Sequence, residues 1–337
     1  MIEKCDSRYK RFFDKAFSVV KRVFRPYSDK FSKKTYTQHQ HAVAILLMKY
    51  ENKPYRDVVE LMKELWPYFG FTSKIPHFTT LQKFFARISA NLWETLLTIT
   101  YLLFEVKRAN IGIDSTGFRP AHVSHYYHVR FKDLQKTRRF MKHSISVDTD
   151  NQAIVSAINS ISWHHDNVYF EPLARKSKAI VDLNNVTADM GYDSELNHVL
   201  VREELGGNSI IPIRPTSSNR CVHSFKYGRY RKELFNNFPL KTYHQRSKVE
   251  TVNFVEKRKF GDELRSKLLK MQRRELRVID VVYNLYRYLK LAFTIGFLQG
   301  YLFFRVQLSG GASDSDTFCC RSKKMTPWPG FGPGSET

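Results

Sequence analysis

The feature that most constrains this chain is a change of apolar rhythm at Ala109. Upstream of it apolar residues recur at helical spacing; downstream they come in short runs and alternations. The segment NIGIDSTG (110–117) is an apolar strand ending in a carboxylate and small residues. HSISVDTD (143–150) and AIVSAINS (153–160) alternate as two more strands, with Asp150-Asn151 as the hairpin turn. NVYFEPLARKSKAI (167–180) and SELNHVLVREEL (194–205) have helical spacing. Between them NVTADMGYDS (185–194) is a strand, an acid and a Gly turn, and NSIIPIRP (208–215) is a last strand. Three strands, helix, strand, helix, strand is the order of an α/β layer with some antiparallel pairing.

Residues 1–107 predict an all-helical region. A basic amphipathic helix is stopped by Pro26, and HAVAILLMKY, YRDVVELMKELW and the stretch from Thr79 to Val106 continue the pattern. Thr79 or Thr80 is the expected cap of the third of these. Short helices followed by a basic one (Lys83, Arg87) suit a helix-turn-helix-like DNA reader, and equally suit a bundle that packs on the next domain. The α/β region then spans 108–305, with a basic, irregular insert at 214–242. Residues 306–337 are Ser/Gly/Pro-rich and are expected to be disordered. LAFTIGFLQGYLFF (291–304) is too short to span a bilayer and reads as a buried core helix, so no membrane partner is expected.

Charge narrows the partner. The chain carries 55 Lys and Arg against 32 Asp and Glu, a net of +23. Nucleic acid is the polyanion that best offsets such self-repulsion. From Arg214 to Glu275 there are 17 Lys/Arg and 6 Asp/Glu, so DNA is expected along this stretch. The four cysteines have neither zinc-site spacing nor a disulfide pattern, which fits a reducing cytoplasm. No GxxxxGK loop implies ATP.

The candidate chemistry lies in three carboxylates. Asp114 ends one strand and Asp189 follows another, and carboxylates at neighbouring strand ends can converge on one crevice. Taken singly, each reads equally well as a turn or cap residue. Downstream, Tyr243, Arg246, Glu250 and Lys257 are spaced −7, −4, 0 and +7 about Glu250. On one helix they would share a wedge of about 60°. Such a face offers a third carboxylate, a phenol and two cations that could hold phosphates. The bland reading is a solvated face, since Arg246 and Glu250 are also an i,i+4 pair. His164-His165-Asp166 reads as a loop before a helix. Asp148 and Asp150 belong to the hairpin, Asp193 and Glu195 are expected to cap the next helix, and Glu256 points away from Glu250's face.

Asp-Ser-Thr-Gly at 114–117, Ala-Asp-Met-Gly-Tyr-Asp at 188–193 and Tyr-x2-Arg-x3-Glu-x6-Lys at 243–257 resemble the DDE transposases of bacterial and archaeal insertion sequences. The subgroup is the one marked by a Tyr-Arg-Glu-Lys signature, and the resemblance covers about residues 75–300. It implies a ribonuclease H-like mixed sheet flanked by helices. It implies Asp114, Asp189 and Glu250 as catalytic ligands of two Mg²⁺ or Mn²⁺ ions, with Tyr243, Arg246 and Lys257 on the DNA. The partners would be double-stranded DNA, as transposon terminal inverted repeats and target, bound by a homodimer on the nucleoid. A ribonuclease H-like nuclease without strand transfer, and a catalytically dead DNA-binding derivative, are the competing expectations.

Overall fold

A computed structural model describes residues 7–70, 74–120, 140–161, 164–214 and 228–309, with the side chains of 293 and 295–309 left aside. Residues 1–291 form one compact unit and 292–337 a second.

Helix α1 (Arg8–Val23) starts at Ser7, whose hydroxyl accepts the Lys10 N–H, and buries Phe12, Phe13, Ala16, Val19 and Val20 along one stripe. It ends before Pro26, as its sequence predicts. Helix α2 (Gln38–Tyr50) opens with a capping box between Thr37 and Gln40 and is buried from Ala42 onward. Next come α3 (Tyr55–Glu64), the one-turn α4 (Trp66–Phe69), α5 (Phe78–Arg87) and α6 (Ala90–Leu102). The cap of α5 is His77, whose ring accepts the Thr79 N–H, and not Thr79 or Thr80. A ring nitrogen two residues upstream does here what a hydroxyl was expected to do.

The sheet has the order β3-β2-β1-β4-β5, formed by β1 (Arg108–Phe118), β2 (Met141–Asp148), β3 (Ala153–Ile161), β4 (Asp182–Ala188) and β5 (Asn208–Ile210). The first three strands pair antiparallel, while β4 pairs parallel with β1 and β5 parallel with β4. This is the mixed α/β sheet flanked by helices that was expected. The β2–β3 hairpin turns through 149–152, with Gln152 at φ 55. Helix α7 (Phe170–Lys178) and the short α8 (Glu195–Val199), continued by a π turn over Leu200–Glu204, make the crossovers that parallel pairing requires.

Each sheet face has its own core. Ile111, Ile113, Val155, Leu173, Val186 and Val201 form one. Ile145, Val147, Ile154 and Ala157 form the other, together with α1–α6 and two C-terminal helices. These are α11 (Ser247–Phe260) and α12 (Leu269–Ser309). Before them come α9 (Arg229–Asn236) and α10 (Leu240–Tyr243), so this part of the basic insert is helical and not irregular; 215–227 lies outside the described residues.

Asp193 and Glu195 do not cap α8; Ser194 holds the N-cap position. Asp193, with its side chain almost fully buried, takes Arg231 in a two-pronged pair at 2.9 and 2.6 Å. Glu195 accepts the backbone N–H groups of Tyr230 and Arg231, two otherwise orphan donors at the start of α9. Both acids thus anchor the insert. The apolar run 291–304 is helical; of its described side chains Leu291 is half-buried and Ala292 and Thr294 are exposed, and the rest lie outside the described side chains. Of the tail expected to be disordered, 306–309 are helical as the end of α12, and 310–337 lie outside the described residues. Among the described residues no helix is long and apolar enough to cross a membrane.

Candidate active site

Strand β1 and helix α11 run side by side with matched pitch. Two strand residues advance about 6.6 Å and four helical residues about 6 Å. Gly112, Asp114 and Thr116 share one face of β1, and each meets a residue one turn further along α11. A Cβ on Gly112 would collide with the Val249 side chain. Asn253 donates its amide to Asp114 Oδ2 at 3.3 Å. Lys257 donates to Thr116 Oγ1 at 2.5 Å. The missing side chain at Gly112 is what lets the helix lie this close.

Asp114 is partly buried on that face. Burial pushes its carboxyl up to about 6; the charges of Glu250 and Asp189 push the same way, opposed by the Ser115 N–H and Arg246. Three carboxylates from β1, the end of β4 and α11 therefore share one electrostatic field. Arg246 sits among them, paired with Glu250 at 2.6 Å. Burial works against its cation, yet Tyr243, Asp114, Glu250 and Asp189 outweigh it and hold it above its ordinary value. Lys257 is the reverse case. Burial lowers it below the usual lysine value despite Asp262, Glu256 and Asp114.

Asp189 follows β4 directly and caps the 3₁₀ turn Met190–Tyr192, accepting the Met190 N–H at 2.6 Å. The turn is tied back to β1 because the Tyr192 hydroxyl bonds Ser115 Oγ at 2.8 Å, and Ser115 bonds Ser144 on β2 at 2.7 Å. Tyr243 closes α10, and its ring lies 6.0 Å from the Arg246 guanidinium and edge-on to Phe238. The residues from Tyr243 to Lys257 do not form the uniform α-helix that the spacing predicts. A 3₁₀ turn, His244–Arg246, joins α10 to α11. Tighter winding there rotates Tyr243 and Arg246 relative to Glu250.

The donor set of Asp114, Asp189 and Glu250 is all carboxylate oxygen, hard and anionic, which suits Mg²⁺ or Mn²⁺. The pressure on Asp114 to stay neutral is the mark of a site that a cation would relieve. The oxygens of the three are not all within 4.8 Å of one another. Each is engaged by a neighbouring donor: Asn253, the Met190 N–H and Arg246 respectively. The Glu250 side chain is 56% exposed and leaves room for a second partner beside Arg246.

Sequence reading missed Asn253, Thr116, Ser115 and Tyr192. Asn253, at i+3 from Glu250, had a legible signal, since it falls on the neighbouring edge of the same helical face. Thr116 lies in the Asp-Ser-Thr-Gly motif with no hint that it would meet Lys257. His164 and His165 precede a 3₁₀ turn, Asp166–Tyr169, as a loop.

A protein of Aquifex aeolicus (strain VF5) described as uncharacterized is 26% identical over 268 residues, covering 77% of this chain and 79% of that one. A cryo-EM structure of the piggyBac transposase synaptic complex with hairpin DNA aligns at a TM-score of 0.44 and 11% identity, over 83% of this chain and 73% of that one. The family model described as a transposase DDE domain matches residues 110–285, which contain β1 from Asn110 onward, β2 to β5, both aspartates and all of α11. With more than half of its 337 residues inside that match, the chain belongs to the transposase DDE-domain family.

Proposed function

We propose that this protein is a DNA transposase of the Tyr-Arg-Glu-Lys subgroup that cuts transposon ends and joins them to target DNA. The observation that carries this reading is the field shared by Asp114, Asp189, Glu250 and Arg246, with Lys257 held over β1 by Thr116. Carboxylates alone would repel a phosphodiester. Carboxylates interleaved with Arg246 and Lys257 can seat one, the two cations taking non-bridging oxygens.

Asp114, Asp189 and Glu250 would hold two divalent ions, which supply charge neutralisation and lower the pKa of an attacking hydroxyl. Arg246 then leaves Glu250 for the phosphate, and Lys257 turns from Thr116 toward the adjacent one. Asn253 keeps the Asp114 carboxyl oriented throughout. In the first step water attacks phosphorus and the 3′-oxygen leaves as a hydroxyl. In the second that hydroxyl attacks a target phosphodiester, whose own 3′-oxygen departs and takes up a proton. Tyr243, beside Arg246, would stack or hydrogen-bond at the transposon end. Double-stranded DNA is the partner, and pairing of two ends calls for a homodimer.

Cleavage and joining of labelled terminal-repeat DNA in Mg²⁺ tests this. Asp189→Asn and Glu250→Gln should each abolish both reactions and leave DNA binding intact. Cleavage that survives Glu250→Gln would remove Glu250 from the ligand set. Cleavage without joining of pre-cut ends would make the protein a nuclease.

A further inference from the structure

A second group of side chains able to hold a metal shares no residue with the candidate active site. His143 on β2, Glu256 on α11 and Asp280 on α12 are all fully buried. One ligand atom from each lies within 4.8 Å of the other two, the one such group among the described residues. His143 Nε2 is 3.1 Å from Asp280 Oδ1 and 3.5 Å from Glu256 Oε2. Burial pushes the His143 ring down, but Asp280 and Glu256 outweigh it and hold it up at about 10, so without a metal the three form a buried ion group. His143 Nε2, both Glu256 oxygens and both Asp280 oxygens lack a hydrogen-bond partner. Five buried polar atoms in one cluster without a well-aligned hydrogen bond are far from the usual state of a protein interior.

The histidine is oriented from behind. Asn159 Nδ2 donates to the Arg273 carbonyl, which turns Asn159 Oδ1 toward His143 Nδ1 at 2.6 Å. An amide oxygen accepts, so Nδ1 carries the proton. Nε2 faces the two carboxylates; it is protonated while no ion is bound, and an ion would displace that proton and take its lone pair. A ring held through Nδ1–H with Nε2 aimed at anionic oxygens is the usual arrangement of a metal-ligating histidine. Spacings of 3.1 and 3.5 Å are close to the edge of a tetrahedron around zinc, about 3.3 Å for ligands at about 2.0 Å. Arg277 approaches Asp280 at 3.7 Å, but its Nη1 is bonded to the Ala157 carbonyl at 2.6 Å and does not satisfy the carboxylate.

We propose that His143, Glu256 and Asp280 bind a structural divalent ion of zinc type, separate from the catalytic ions. One imidazole and two carboxylates select the zinc end of the divalent series over Mg²⁺. Two carboxylates and a neutral imidazole cancel its charge, and the carboxylates' remaining oxygens can complete the coordination. The ion would join the sheet, α11 and α12 at one point. Glu256 is six residues beyond Glu250 and adjacent to Lys257, so the ion would fix α11 where those two need it.

The test is metal analysis of the full-length protein, exhaustively dialysed after loading with Zn²⁺. About one zinc per chain should remain, and Co²⁺ loading should give visible absorption bands of a low-coordinate site. The zinc should persist in an Asp114→Asn/Asp189→Asn double variant and vanish in His143→Gln and Glu256→Gln. Zn²⁺ should raise the unfolding midpoint of the metal-free protein by roughly 5–10 °C, with excess Mg²⁺ having no such effect. A metal-free protein that takes up no Zn²⁺ and gains no stability from it would overturn the proposal, leaving a protonated His143 between its two acids. Zinc lost in the Asp114/Asp189 variant but kept in Glu256→Gln would overturn it equally.

Discussion

Val249 lies over Gly112 with no room for a Cβ between them, and this contact sets how closely α11 approaches β1. Thr149 hems the same spot, its Cγ2 3.2 Å from where a Cβ would stand. Gly112→Ala should push the helix outward, and with it Asn253, Glu250 and Lys257. A β-branched side chain adjusts poorly, so the cost should be about 1–3 kcal/mol. The functional loss should be larger than the stability loss suggests, because a displacement of about 1 Å in a reacting site can cost 10²-fold in rate. Thermal unfolding and cleavage rate measured on one preparation would check this. A variant with full activity would show that α11 is not positioned by this contact. Gly112→Ala combined with Val249→Ala should recover activity in part.

Lys257 is the cation most directly tied to the strand of Asp114, through Thr116. If it turns to a phosphate, Lys257→Met should weaken DNA binding about equally for all sequences. The slope of log K against log salt should fall by about 1. Thr116→Val should behave differently, since it leaves the charge and removes only the resting partner. Binding isotherms over a salt series separate the two. An unchanged slope for Lys257→Met would take this lysine off the DNA.

How far the sequence carried the reading differs from residue to residue. Glu250 and Lys257 were legible together because the period of one helix relates them; Arg246 lies in the 3₁₀ turn before that helix, and its i,i+4 pairing with Glu250 is what survives of the expected face. The strand order from 110 to 210 was legible because alternation and turn residues mark each piece. Asn253 with Asp114, and Lys257 with Thr116, depend on how a helix lies against a strand about 140 residues away. No period in the sequence encodes that. Glu256 was correctly placed off the face of Glu250, but its meeting with His143 and Asp280 joins three distant elements. Asp193 and Glu195 looked like caps because acids before a helix usually are. Their pairing with Arg231 and the α9 backbone arises from the fold of the insert.

That pairing gives a third expectation. The Asp193 side chain is 1% exposed and Arg231 supplies its charged partner. Removing one member of a buried pair strands the other, at about 3–5 kcal/mol. In Arg231→Ala the loss should fall mainly on α9 and not on the whole fold, because the sheet does not depend on it. Limited proteolysis should then cut within Arg229–Asn236, with the unfolding midpoint of the remainder moved by less. Global unfolding with no prior local cleavage would show that α9 is integral to the core.

Two histidines make stability fall in acid. Burial holds His41 down to about 4, aided by Arg87, and its Nε2 is buried with no hydrogen-bond partner. Burial likewise holds His198 down to about 4, against the pull of Asp193 and Glu195, and its Nδ1 is bonded to Ser209 Oγ at 2.8 Å. Both are depressed below the ordinary value of 6.5. Between those limits the unfolded chain binds protons that the folded chain refuses, so stability declines as pH falls. The contribution is complete above pH 6.5 and is lost on the way down to about 4. Each group is worth about 1–3 kcal/mol over that window. His41 packs against Phe84 at 5.1 Å between ring centres, so His41→Phe keeps an aromatic contact while removing the titration. Denaturant midpoints at pH 7 and pH 5 should differ less in His41→Phe than in the parent. Equal differences in the two proteins would mean that His41 is protonated in the folded state, with its charge satisfied from elsewhere.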